Sequence, residues 1–170
     1  MGDSLVTIVA IFLAAILMFV FPLAAISEMN DSETLAMVQS LTTEFVNNIR
    51  SKGVITKEDY DAFIQELSAT GNSYDVEFEV RIADSNPGKK TENQQVGDTT
   101  YYSVFTTQIE GNLPYKLKEG DFIIVYVKNT NTTISQMIKG VIYNITGDQS
   151  YVIYAQASGG VVTTGTGYYN

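Results

Sequence analysis

From Leu5 to Ile26 the chain runs for 22 residues without a charge, and only Thr7 and Pro22 fall outside the hydrophobic set. At the helical rise such a run is roughly 33 Å long, enough to cross a bilayer core. Its side chains are apolar on every face, so a helix made of them must be surrounded by lipid or by other apolar protein. Pro22 lacks an N–H and its ring crowds the preceding turn, so a kink or local melting is expected there.

Three readings of the run stand side by side. One is a cleaved secretory signal, with Ala25-Ile26-Ser27 as a small-x-small site. The first four residues carry no Lys or Arg, however, and the run exceeds a usual signal core. The second is a simple membrane anchor. The third is a helix that first sits in the membrane and later packs against copies of itself in a filament. Neither flank is basic, so the positive-inside rule has little to read. Glu28, Asp31 and Glu33 follow the run, and the expectation is that the C-terminal part lies outside the cytoplasm.

Beyond the run, Leu35, Val38, Leu41, Phe45 and Ile49 recur at three- and four-residue steps, with Gly53 as a C-cap. If this amphipathic segment continues the apolar helix, one rod of roughly 70 Å spans residues 4 to 52. A short helix is expected after Thr56 and Asp59, with Tyr60, Phe63, Ile64 and Leu67 on one face and Gly71 at its end. The period then changes to two. Tyr74, Val76, Phe78, Val80 and Ile82 alternate with Asp75, Glu77, Glu79 and Arg81, giving a strand with one buried face.

Residues 84–98 read as a loop, 100–109 as a second strand, and 122–127 as a third, apolar on both faces and therefore central. Ile134, Met137, Ile138, Val141 and Ile142 return to helical spacing, interrupted by Gly140, and 150–156 read as a fourth strand. The uncharged tail from Gln149 to Asn170 suits a further edge strand, a surface that meets another subunit, or a loose Gly/Thr terminus. The fold class is α+β: a long N-terminal helix, residues 1–53, and an antiparallel sheet with short helices, residues 54–170.

Composition narrows the chemistry. The chain has no Cys and no His, which removes disulfides, thiolate and imidazole chemistry and the usual zinc sites. With 19 acidic against 10 basic residues, a nucleic-acid partner is not expected. Asp75, Glu77 and Glu79 form an acidic row that clustered oxygens would let bind a hard cation, but no EF-hand spacing surrounds them, and a solvated face is the expectation. Gly159-Gly160 belongs to neither a dinucleotide nor a Walker motif. No catalytic residue, metal or cofactor is expected. Asn30-Asp31-Ser32, Asn131-Thr132-Thr133 and Asn144-Ile145-Thr146 match the glycosylation sequon. Among the aromatics, Tyr168 and Tyr169 have a context that points to exposure or a subunit interface.

The order of these parts resembles type IV pilins, tight-adherence pilins and their pseudopilin relatives: an apolar N-terminal helix, a proline about twenty residues in, an amphipathic continuation and a small β-rich head. The stretch from Val54 to Val80 also resembles small proteins of bacterial pilus-type gene clusters. In the pilin family the helices bundle into a filament core and the heads face outward. The resemblance implies a structural subunit of an extracellular filament, held in the inner membrane before assembly. Its partners would be copies of itself and a pilus assembly machinery. The polymerising surface would be Leu5, Ile8, Ile11, Phe12, Ala15, Ile16, Phe19, Pro22 and Leu23.

The family's processing peptidase cuts after a glycine that follows a short basic leader. Gly2 stands in that place and would leave Asp3 as the first mature residue, but Met1-Gly2 holds no basic residue. The family's glutamate at the fifth mature position is Thr7 here, so Asp3 is the carboxylate left to pair with a neighbour's terminal amine. The alternative, from a different class, is a single-pass anchored extracellular domain that binds a solute or a protein partner.

Overall fold

The computed structural model describes residues 2–83, 101–143 and 153–165. The N-terminal rod is continuous. It comprises α1 (Gly2–Ala15), a π-helical turn (Ile16–Val20) and α2 (Phe21–Lys52). Pro22 explains the π turn. Its missing N–H would have bonded the Met18 carbonyl and its ring presses on that carbonyl, so the turn before it widens while the helix carries on. The disturbance foreseen at Pro22 is therefore a bulge one turn earlier, with no melting.

The second half of α2 belongs to the core of the head. Val38, Thr42, Phe45, Val46 and Ile49 are buried on one stripe, as the heptad-like spacing requires. They pack on a four-stranded antiparallel sheet of order β3-β2-β5-β6, with β2 at Tyr74–Ala83, β3 at Tyr101–Phe105, β5 at Phe122–Asn129 and β6 at Tyr154–Gly160. Register aligns the apolar face: Val76 opposes Val127, Phe78 opposes Val125 and Val80 opposes Ile123. Central β5 buries residues on both faces, because Ile124 is buried opposite Ile123 and Val125. A second, two-stranded sheet pairs β1 (Val54–Ile55) with β4 (Tyr115–Lys116).

Helix α3 (Lys57–Ser68) starts at Thr56, whose hydroxyl accepts the Asp59 N–H at 3.1 Å. It lays Phe63 and Leu67 into the core. The Phe63 ring stacks on Phe45 at 4.3 Å between centroids, and Phe45 and Tyr60 both lean on Phe78.

Two expected boundaries move, each for a visible reason. The second strand stops at Phe105, and Thr106–Glu110 form a helical turn, α4. The Thr106 hydroxyl accepts the Phe78 N–H at 2.7 Å, in the place of the next ladder bond, and the chain is free to turn away. The fourth strand runs on to Gly160, and 150–152 lie outside the described residues. Its two glycines pair with Ile123 and Phe122, and a Cβ on Gly159 would strike the Arg50 side chain, whose Nε donates to the Gly160 carbonyl at 2.7 Å.

The described part of the tail, 161–165, is not a strand. It crosses the end of α2, where Val162 N–H donates to Arg50 O at 3.2 Å and Gly165 N–H to Leu117 O at 3.0 Å.

That crossing explains Gly53. It caps α2 in the left-handed region, φ +68°, and a Cβ there would run into the backbone of Thr163 and Gly165. Gly71 also has positive φ, +83°, but faces open space. Gly53→Ala is therefore expected to destabilise more than Gly71→Ala. Both incur the ~1–2 kcal/mol of a left-handed alanine, and only the first must also displace the tail. Thermal unfolding followed by near-UV circular dichroism checks the order.

Candidate functional site

The feature that needs a partner is the surface of the rod from Leu5 to Ile26. Of the nine positions named for it, Leu5, Ile8, Ile11, Phe12, Ala15, Phe19, Pro22 and Leu23 are exposed, and so is Ile16 in the π turn at 36%. Phe12 and Phe19 each leave 70% of their surface uncovered. Among the described residues this helix alone is long and apolar enough to cross a membrane, and its apolar stretch is 0% buried within the fold. A continuous apolar surface of this extent is not kept in water by a soluble monomer.

Small residues pattern the surface. Ala10 and Ala14 stand one turn apart on one face, with Ala15 beside them, and Ala24 and Ala25 follow near the boundary. Spacing of this kind lets two backbones approach closely, which is how helices associate in lipid. At the N-terminus Gly2 and Asp3 are in the first turn of α1, and the Asp3 carbonyl accepts the Thr7 hydroxyl at 2.8 Å. The Thr7 side chain is thereby turned back on its own helix.

The remaining candidates resolve into structural roles. The acidic row on β2 is paired with Lys128 of the neighbouring strand β5 and with Arg81 of β2 itself. Lys128 Nζ sits 2.6 Å from Glu77 and 3.2 Å from Asp75, and Arg81 Nε sits 2.8 Å from Glu79. The bonds to Glu77 and Asp75 hold the Lys128 ammonium well above its ordinary range. Arg81 and, after burial is set against it, Ser103 hold the Glu79 carboxyl below its own. Among the described residues no three acidic groups are placed to hold a metal ion.

A shallow groove of about 530 Å³ between α2 and α3 is lined by Glu44, Asn47, Asn48, Asp59 and Glu66, among others. Burial in it would raise the Asp59 carboxyl, but bonds from Lys52 and Thr56 outweigh that and keep it low. Asp59 is thus a tether between the end of α2 and the start of α3. The Asn131 amide of the second sequon donates to Asn72 at 2.8 Å and is half-buried. Asn144, Tyr168 and Tyr169 lie outside the described residues.

Sequence reasoning missed the joint between the head and the lower part of α2. Helix α5 (Ile134–Tyr143) lies against it, held by three polar contacts. The Asp31 carboxylate accepts the Thr133 hydroxyl at 2.9 Å and the Ser135 hydroxyl, and Lys139 pairs with Glu28 at 2.9 Å. The start of α5 was legible, because Thr133-x-x-Gln136 is a capping box: Thr133 N–H donates to the Gln136 side chain at 2.9 Å and Gln136 N–H to the Thr133 hydroxyl at 3.4 Å. A second missed contact closes the edge of β6. The Gln39 amide donates to Gln156 O at 2.9 Å and accepts from Gln156 N–H at 3.3 Å, so that a helix side chain imitates a neighbouring strand.

No family model matches this chain, and no curated protein or solved structure matches it either. The arrangement of a long apolar helix before a small antiparallel sheet is compatible with a pilin-like architecture.

Proposed function

We propose that this chain is a structural subunit of an extracellular pilus-like filament. The apolar half of its helix anchors it in a membrane first and forms the filament core afterwards. The observation that carries the reading is the seamless junction between anchor and head. A domain tethered for ligand binding needs only a loose linker, whereas here one helix runs from Gly2 to Lys52 and the sheet is folded onto its second half. A rigid junction fixes how each head stands relative to its stem, which a helical array of identical subunits requires.

The apolar surface supplies the driving force. Burying most of a 22-residue apolar helix contributes tens of kcal/mol gross at ~25 cal/mol per Å². Leaving lipid alone is uphill, so an assembly machinery would have to couple extraction to addition at the filament base. No step calls for a catalytic residue or a cofactor.

The test is electron microscopy of material sheared from cells, with N-terminal sequencing of the chain it contains. Filaments built of this chain, with the apolar run retained, are expected. Monomers released only by detergent would overturn the reading in favour of an anchored binding domain. A mature N-terminus beyond Ser27 would overturn it in favour of a cleaved signal.

A further inference from the structure

We propose that α5 is a second membrane contact: while the chain is membrane-held, the exposed apolar stripe of this helix lies in the lipid headgroup layer beside the rod. The inference rests on the membrane-held state of the proposed function and adds to it a surface that the apolar run does not contain.

The first observation is the stripe. Ile134, Met137 and Val141 recur at i, i+3 and i+7 and are 59%, 53% and 84% exposed. The face toward the rod is a different one, carrying Ser135 and Lys139, so the stripe is not turned to the fold's own core. The ten-residue helix carries a single charge, Lys139, and it lies off the stripe.

The second observation is height. The contacts of α5 are with Asp31 at its start and with Glu28 further along, so the helix descends beside α2 toward the apolar run. Glu28 stands two residues past Ile26, about 3 Å up the rod, and Asp31 about 7 Å. The headgroup layer on each side of a bilayer core is roughly 5–8 Å deep. If Ile26 marks the edge of the hydrocarbon, the length of α5 from Ser135 to Lys139 falls inside that layer, and Val141 reaches its floor. Ser27 is 7% exposed while Ile26 and Met29 beside it are 60% and 65% exposed, so one face of the rod is covered at the boundary and the others are open.

A water-facing location would leave this stripe bare next to a lipid surface, whereas the layer itself accepts apolar side chains and lets a lysine remain hydrated. Lipid is therefore the occupant assigned to it, and the fit is geometric: Glu28 and Asp31, which hold α5 to the rod, follow directly on the apolar run.

The chain contains no Cys, so single-cysteine variants carry one fluorophore each. The full chain is reconstituted in phosphatidylcholine–phosphatidylglycerol vesicles with the probe at Val141→Cys, at Phe12→Cys in the rod, or at Gln65→Cys on the exposed side of α3. Quenching is measured with aqueous iodide and with lipids spin-labelled near the headgroup. The Val141 probe is expected to be at least threefold less accessible to iodide than the Gln65 probe, and to be quenched by the shallow spin label. The Phe12 probe should be shielded from both.

A Val141 probe as open to iodide as Gln65, with Phe12 still shielded, overturns the α5 contact alone. A Phe12 probe open to iodide overturns the membrane-held state and the α5 contact with it. Shielding of Val141 that disappears on tenfold dilution of protein in lipid assigns the stripe to a second copy of the chain and overturns the lipid assignment.

Discussion

Ile16→Asp is expected to abolish filaments in sheared material while leaving the head folded. Ile16 lies near the middle of the apolar run, in the π turn and 16 residues before Ser32, remote from the sheet. In lipid a central aspartate costs ~2.5–3.5 kcal/mol against a run whose apolar residues contribute ~0.3–0.6 kcal/mol each where they are Leu, Ile, Val or Phe, so the rod still inserts. In a bundle of identical rods the same carboxylate is repeated in every subunit, and each copy is buried among apolar neighbours with no partner charge. The cost of several kcal/mol per unpaired buried ion then recurs at every addition. Filament yield scored by electron microscopy should fall more than a hundredfold, with unchanged far-UV circular dichroism and unchanged protease resistance of residues 54–83 and 101–143. Normal filaments from this variant would sink the assembly reading.

The parts of the chain that were legible share one property: a single period sets their burial. The α2 stripe, α3 and β2 each bury residues at a constant 3.6 or 2.0 step, so Val38, Phe45 and Ile49, or Val76, Phe78 and Val80, announce their own face. The illegible parts were decided by contacts between segments distant in sequence. Thr100 to Ile109 reads as one β-prone stretch, and only the bond from Phe78 N–H to the Thr106 hydroxyl ends the strand at Phe105.

Gly159 and Gly160 look like a breaker, but they pair as strand, with Arg50 in the space a Gly159 side chain would take and bonded to the carbonyl of Gly160, 110 residues away. The α5–rod joint depends on Asp31, an acid that in isolation reads as a solvated residue of a helix face. For the candidate site the position differs. The apolar run identifies itself, and which neighbour covers it is a question about other molecules that no pattern within one chain can answer.

The second large effect separates two kinds of apolar packing in the same chain. Phe78→Ala is expected to destabilise the head by about 3–5 kcal/mol, which is roughly 10–15 °C in Tm for a domain of this size. Its ring is 2% exposed and meets Phe45 at 5.9 Å and Tyr60 at 5.7 Å, so one substitution opens a cavity where β2, α2 and α3 converge. Phe12→Ala removes a ring of the same size from a position 70% exposed on the rod, away from the sheet and α3.

The two variants should therefore dissociate. Phe78→Ala lowers Tm and, below the new Tm, leaves the rod able to assemble. Phe12→Ala leaves Tm within about 1 °C of the parent, as surface substitutions do, and weakens the polymer by the packing that a neighbouring rod supplied. Thermal melts of the detergent-dispersed chain give the first reading, and the detergent concentration that dissolves sheared filaments gives the second. An equal fall in Tm for both variants would mean that the rod packs onto its own head. A polymer indifferent to Phe12→Ala would mean that this face of the rod meets no neighbour.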